Sequence, residues 1–264
     1  MKYQLKDKLI TYLIVLTISL IITSIVTIIS IAYLPIARYI IPSFIISLLI
    51  VIFIVRICPD YVVCLGLRRI GISSTLQSYL IQRFCHYNKF ANSSNVKIII
   101  VDSPTYLAWY LSTELKTYIF ITSSVVMDFN EIDLDCVIAY LSNLHSTSYA
   151  LRDSCILLLA TITERAIITS LISASLVHLV RPCISDSLLD SQAIMNTKFA
   201  VGYRKMIEKL VKNRICDGNI PYSISMNAIA NVKGTNVSLG KWFRIHQSLE
   251  KRLHSINQMN QSLS

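Results

Sequence analysis

Residues 9–34 are an almost unbroken apolar run, relieved only by Thr, Ser and Tyr. As a helix rising 1.5 Å per residue, such a run exceeds the roughly 30 Å hydrocarbon core of a bilayer. Pro35 and Arg38 end it, and residues 39–55 form a second apolar stretch of near-minimal spanning length. The two read as a transmembrane helical hairpin occupying residues 1–56. A cleaved signal peptide would have a shorter apolar region and a small-residue cleavage site, so cleavage is not expected. Lys2, Lys6 and Lys8 precede the first span, and Arg56, Arg68 and Arg69 follow the second. Only Arg38 lies in the connection. The positive-inside rule then places both termini in the cytoplasm of a multi-pass cell-membrane protein.

Composition agrees with that assignment. The chain has 264 residues, 53% apolar and 15% charged, against about 25% charged in an ordinary soluble domain. Seven Cys are scattered without a CxxC pair, which excludes a zinc ribbon or thioredoxin-like site by spacing. Cys136 and Cys155 lie within apolar runs and are expected in the core. A third hydrophobic stretch, 155–180, is long enough to span but carries Glu164 and Arg165 near its middle. Each charge at a bilayer centre costs about 2.5–3.5 kcal/mol, and adjacent helical residues do not face each other. This stretch is expected to be buried or membrane-associated rather than a simple span.

Residues 57–264 read as one cytoplasmic domain, mainly α with a small β-sheet. A helical pattern covers 77–89, and two β-rich runs occupy 96–101 and 117–122, poised to pair. A helix follows from Asn130, with Leu134, Val137, Leu141 and Leu144 at core spacing. Glu131, Asp133 and Asp135 stand in its first turns, where the helix dipole favours acids. Residues 187–214 are helical in pattern, and 248–259 form a last short helix. Between Lys198 and Arg252 there are eleven basic residues against Glu208, Asp217 and Glu250. No aromatic–basic alternation or DNA-binding pattern accompanies them, so nucleic acid is not an expected partner. Membrane lipid is, because anionic headgroups attract each nearby Lys or Arg by about 1 kcal/mol.

Several segments resemble the HtpX-type integral-membrane zinc metallopeptidases. The acidic cluster and apolar run up to Ala139 are similar to the lead-in to that family's HExxH helix. Ile100 to Pro104, Ile121 to Met127 and the Arg152–Asp153 pair resemble flanking motifs, the last of them four residues later than in the family. Asp186 and Asp190 are similar to its ExxxD pattern, and His246 with Arg252 keeps the separation of a C-terminal His and Arg. The resemblance implies a zincin-like cytoplasmic domain in membrane-protein quality control. Yet the positions of the first His, the Glu and the second His are Tyr140, Leu141 and Leu144 here, and no HExxH occurs in the chain. Zinc in that motif needs two imidazoles four residues apart and a Glu to activate water.

The expectation is therefore a peptidase homologue without proteolysis, with no catalytic residues and no metal. It would act as a binding or regulatory protein toward membrane-protein clients or an active paralogue. Asp186, Asp190, His246 and Arg252 remain as family-matching positions, with Asp186 or Ser185 read as a helix cap. The alternative is a divergent zinc metalloendopeptidase using His145, Asp186 and His246. A third expectation is a structural membrane component with chance motif echoes. His86, His145, His178 and His254 otherwise read as structural or surface residues.

Overall fold

The computed structural model describes residues 67–88, 91–147, 150–165, 186–198, 200–212, 220, 224, 228–229 and 249–263, with positions 16, 42, 45, 46 and 49. These residues form a mainly helical structure around one four-stranded mixed sheet. In chain order they are β1 (Arg69–Ile70), α1 (Ser74–Tyr87), a 3-10 turn (Ser93–Asn95), β2 (Val96–Val101), β3 (Ala108–Ser112) and β4 (Thr117–Thr122). Helices α2 (Ser123–Asp128), α3 (Glu131–Thr147), α4 (Ala150–Arg165), α5 (Asp186–Thr197), α6 (Ala200–Lys212) and α7 (Leu249–Leu263) follow.

The sheet order is β1-β2-β4-β3. Strands β2 and β4 run parallel from Val96 opposite Thr117 to Val101 opposite Thr122. Strand β3 returns antiparallel to β4, and β1 is antiparallel to β2. Both faces of the sheet are covered, which explains why the strands read as continuous apolar runs rather than as alternating ones. Ile98, Ile100, Tyr110, Ile119 and Ile121 face the main core, formed with α1, α3, α5, α6 and α7. Ile99, Val101, Trp109, Leu111 and Phe120 face a second core with Leu157 and Leu158 of α4 and with Ile220, Ile224 and Ala228. On that side Trp109 stacks on Phe120 at 5.1 Å between ring centroids. The free edge of β3 is capped by residues 228–229: Trp109 bridges Ala228, and Ile229 donates its N–H to the Ala108 carbonyl. Covering an edge in this way removes a template for pairing with another chain.

Helix α3 is the hub. Asn130 caps it, its side chain accepting from Asp133 N at 2.8 Å while Asp133 Oδ2 reaches back to Asn130 N. This reciprocal arrangement satisfies two otherwise orphaned donors. The predicted core stripe of Leu134, Val137, Leu141 and Leu144 is buried, and α1, α5 and α6 pack around it. Cys136 and Cys155 are buried as expected; burial pushes the Cys136 thiol pKa up to about 12, so it is an inert packing residue.

Other readings change. Two strands, β1 and β3, occupy segments to which the sequence reading assigned no strand, because cross-strand pairing with β2 and β4 decides them rather than local pattern. The single helical stretch at 187–214 is two helices, broken where Lys198 takes a positive φ of 57° and donates its N–H to the Ile194 carbonyl. That is a left-handed C-terminal cap on a residue other than Gly. The segment from Ser123 to Asp128, overlapping the stretch Ile121 to Met127 that resembles a flanking motif, is helical.

Both hairpin spans lie outside the described residues, apart from Leu16, Pro42, Ile45, Ile46 and Leu49, each of which is helical. Among the described residues no helix is long and apolar enough to cross a membrane. Of the 155–180 stretch, residues up to 165 belong to α4 and residues 155–158 are buried. The rest lies outside the described residues.

Candidate functional site

The three positions that resemble a zinc motif point into packed protein. Tyr140, Leu141 and Leu144 are at most 1% exposed. Directly over the Tyr140 ring lies the Arg252 guanidinium, 4.8 Å from the centroid. Arg252 comes from α7 and grips Asp190 of α5 with two bonds, Nε to Oδ2 at 2.9 Å and Nη2 to Oδ1 at 2.5 Å. Tyr203 of α6 donates its hydroxyl to Asp190 Oδ1 at 2.6 Å, and Arg252 Nη1 donates to the Ile229 carbonyl. Side chains from α3, α5, α6 and α7 thus meet at one point, and Asp190, Tyr203, Tyr140 and Arg252 are all fully buried.

The electrostatics follow from that burial. Desolvation is the largest single influence on Arg252 and lowers its pKa, but Asp190, Tyr140 and Tyr203 together outweigh it and hold the guanidinium above its ordinary value. Burial, and then the Asp190 charge, push the Tyr203 phenol well above its ordinary range. Both carboxylate oxygens of Asp190 are engaged, with three hydrogen bonds from Arg252 and Tyr203. The donor set for zinc does not fit here. Among the described residues no three His, Cys, Asp or Glu side chains gather in a way that could hold a metal ion. Asp186 opens α5, but its side chain lies outside the described residues, as does His246.

A second charged cluster sits at the start of α3. Asp133 and Asp135 are each 2% exposed, which the dipole argument did not anticipate. Asp135 accepts from Arg83 Nε and Nη2 of α1 and from the Tyr87 hydroxyl at 2.7 Å. Asp133 pairs with Lys209 of α6, whose ammonium also donates to the Asp128 carbonyl at 3.0 Å and lies over the Phe129 ring. The bond to Asp135, stronger than the opposing desolvation, raises the Arg83 pKa. These pairs clamp α1 and α6 onto the beginning of α3.

His145, near the end of α3, forms a third cluster. Its ring is set edge-on against Phe84 and Tyr110. Asn88 Nδ2 lies 2.7 Å from Nδ1, and Ser112 Oγ lies 2.8 Å from Nε2. With Nδ1 accepting from Asn88, the ring proton sits on Nε2 and is donated to Ser112. The serine is therefore an acceptor, not a nucleophile activated by a base. This knot ties the C-terminal end of α1 and the end of β3 to α3. The other described histidines are peripheral: His86 packs on Tyr87, and His254 meets Gln258 on the surface. His178 lies outside the described residues.

Desolvation holds the His145 pKa at about 4, below its ordinary 6.5. The unfolded chain therefore binds a proton that the folded chain refuses between those values. The stabilisation from the neutral ring, about 3 kcal/mol by linkage, is complete above pH 6.5 and lost as pH falls toward 4. Denaturant midpoints measured across this window should fall, and His145→Gln should flatten the dependence. An unchanged slope in that variant would assign the acid sensitivity to other groups.

The sequence singled out Tyr140, Asp190 and Arg252, and the fold brings them together. It did not single out Tyr203, Arg83, Lys209, Asn88 or Ser112. Tyr203 meets Asp190 13 positions away and Lys209 meets Asp133 76 positions away, with the pairs of Arg83 and Asp135, Asn88 and His145, and Ser112 and His145 between these extremes, and no spacing rule spans such gaps. No family model, no curated protein and no solved structure matches this chain at a significant level.

Proposed function

We propose that this chain is an integral-membrane protein built on the scaffold of an HtpX-type zinc metallopeptidase but lacking its zinc chemistry. In this reading it acts as a binding or regulatory protein at the membrane. One observation carries it. The residues that the resemblance assigns to the first zinc-ligand position, the second acid of the ExxxD pattern and the C-terminal Arg are Tyr140, Asp190 and Arg252. They are dispersed along the chain, yet they form one buried cluster. Chance echoes have no reason to converge. The convergence supports a peptidase-like arrangement of helices whose centre has become an ion pair on an aromatic ring.

Two further facts favour binding over catalysis. Leu141 and Leu144 fill the places of a base and a ligand with hydrocarbon, and both nitrogens of His145 are already engaged. The membrane part of the proposal rests on the apolar runs at 9–34 and 39–55. Leu16, Ile45, Ile46 and Leu49 are helical and 43–59% exposed, which suits side chains facing lipid. The partners in this reading are membrane-protein clients, or an active peptidase paralogue whose clients it holds or whose activity it tunes.

Metal analysis of the full chain purified in detergent tests the central claim. The expected result is no stoichiometric zinc and no chelator-sensitive cleavage of a membrane-protein substrate. Stoichiometric zinc with proteolysis abolished by a chelator would overturn it in favour of the divergent enzyme. Carbonate washing of membranes tests the anchor separately: the chain should stay with the pellet, and its release would remove the hairpin.

A further inference from the structure

Helix α6 has two contrasting faces. Tyr203, Met206, Ile207 and Leu210 are buried against the core, while Val201, Lys205 and Lys212 stand exposed. Positions 201, 205 and 212 recur at helical spacing and share one stripe. Helix α5 packs on α3 as α6 does, so both turn their outer faces away from that shared helix. At the turn between them Met195 is 67% and Val201 65% exposed, with Lys198 exposed beside them. At the other end of α6, Lys209 reaches the Asp128 carbonyl, which brings Met127, 78% exposed, next to the helix terminus. The outer face of α6, roughly 20 Å long, thus carries Val201, Lys205 and Lys212, with Met195 and Lys198 at the turn that begins it and exposed Met127 near its other end.

The charges on this surface are not balanced from within. Arg204 and Glu208 pair with each other at 2.9 Å, and Lys209 is held by Asp133. Among the described residues no ion pair neutralises Lys198, Lys205 or Lys212. A solvated helix face needs no methionine and valine at such exposure, and a nucleic-acid surface has no use for them. Apolar tips flanked by lysines match a different chemistry: side chains that enter the acyl boundary while ammonium groups meet phosphates.

We propose that the outer face of α6, with the α5–α6 turn, docks on the surface of an anionic bilayer. The inference rests on the membrane anchoring proposed above and adds which face of the domain meets the lipid. It would fix the domain's orientation relative to the bilayer.

Lysine acetylation of the full chain, read by mass spectrometry, tests this. The chain is placed in detergent, in nanodiscs of pure phosphatidylcholine, and in nanodiscs of equimolar phosphatidylglycerol and phosphatidylcholine. Lys205 and Lys212 should react about fivefold more slowly in the anionic discs than in the other two, while Lys97 and Lys116, exposed elsewhere, keep their rates. Val201→Asp and Lys205→Glu, both surface changes, should abolish the protection of Lys212 while the chain stays in the disc. Equal rates in all three preparations would overturn the proposal. So would protection already present in detergent, which would mean cover by another copy of the chain, or protection in detergent conferred only by added RNA. If the chain fails to enter nanodiscs at all, the anchor is refuted instead. The same rates are then read with free phosphatidylglycerol vesicles, where absent protection would refute the docking face as well.

Discussion

Replacing Arg252 by Met is expected to destabilise the domain by about 3–5 kcal/mol. The loss comes less from the missing attraction than from what remains. Asp190 is fully buried, and without the guanidinium its charge would keep only the Tyr203 hydroxyl as a recorded partner. Removing both partners should behave differently. An Asp190→Leu and Arg252→Met double variant leaves no orphaned charge, and apolar replacement of a buried pair is often neutral or stabilising. It should therefore recover most of the stability lost by Arg252→Met alone. Tyr203→Phe, which deletes one bond to the carboxylate, should cost about 1 kcal/mol. Denaturant unfolding of the purified chain in detergent measures all three. A loss below about 1 kcal/mol for Arg252→Met is what an exposed pair would give, and it would mean that the four helices do not close around this point.

Restoring the motif should not restore a metal site. Tyr140→His, Leu141→Glu and Leu144→His together rebuild the HExxH pattern, but the fold has no vacancy for it. Leu141 is fully buried and Leu144 is 1% exposed. A Glu at 141 must shed its hydration or take up a proton; an imidazole at 140 would meet the Arg252 guanidinium and one at 144 would face hydrocarbon. The expected result is a loss above about 4 kcal/mol, seen as an unfolded or aggregated chain, with no stoichiometric zinc. Asp190 could not assist, because Arg252 and Tyr203 already occupy both its oxygens. A folded variant carrying stoichiometric zinc would show that the site is still open, and would undo the account of a centre closed by packing. Leu141→Met, which keeps the volume, serves as the control and should cost less than about 1.5 kcal/mol.

The two experiments probe one physical idea from opposite directions. In the proposed reading, the guanidinium of Arg252 stands where the resembling peptidases would hold a cation among nitrogen and carboxylate donors. The positive charge is supplied covalently by Arg252 and neutralised by Asp190. Such a centre binds helices together without requiring metal.

Much of the fold could be read from residue patterns. The β-branched runs at 96–101 and 117–122 are strands with those bounds, because a sheet covered on both faces makes its strands uniformly apolar. The stripe of Leu134, Val137, Leu141 and Leu144 gave the buried face of α3, since helical period and burial are one constraint. Strand β3 was missed because Ala108 to Ser112 carries no period of its own; its pairing with β4 and the cover from Ala228 make it a strand. The break at Lys198 was missed for a related reason. A left-handed residue other than Gly has no local marker, and packing of both α5 and α6 on α3 holds it in place.

For the candidate site the division is sharper. The absence of donors at Tyr140, Leu141 and Leu144 is a property of side chains, fixed once the chain is written, and it alone removes the two-imidazole zinc centre. The sequence likewise set the apolar runs and the excess of lysine and arginine. Only the tertiary structure decided that Asp190, Tyr203 and Arg252 meet over Tyr140, that Asp133 and Asp135 are paired rather than solvated, and that His145 is held neutral. Each of these depends on groups brought within a few ångströms from distant parts of the chain. Hydrogen bonds and desolvation act only at that range, so their effects do not exist until the helices have closed around them.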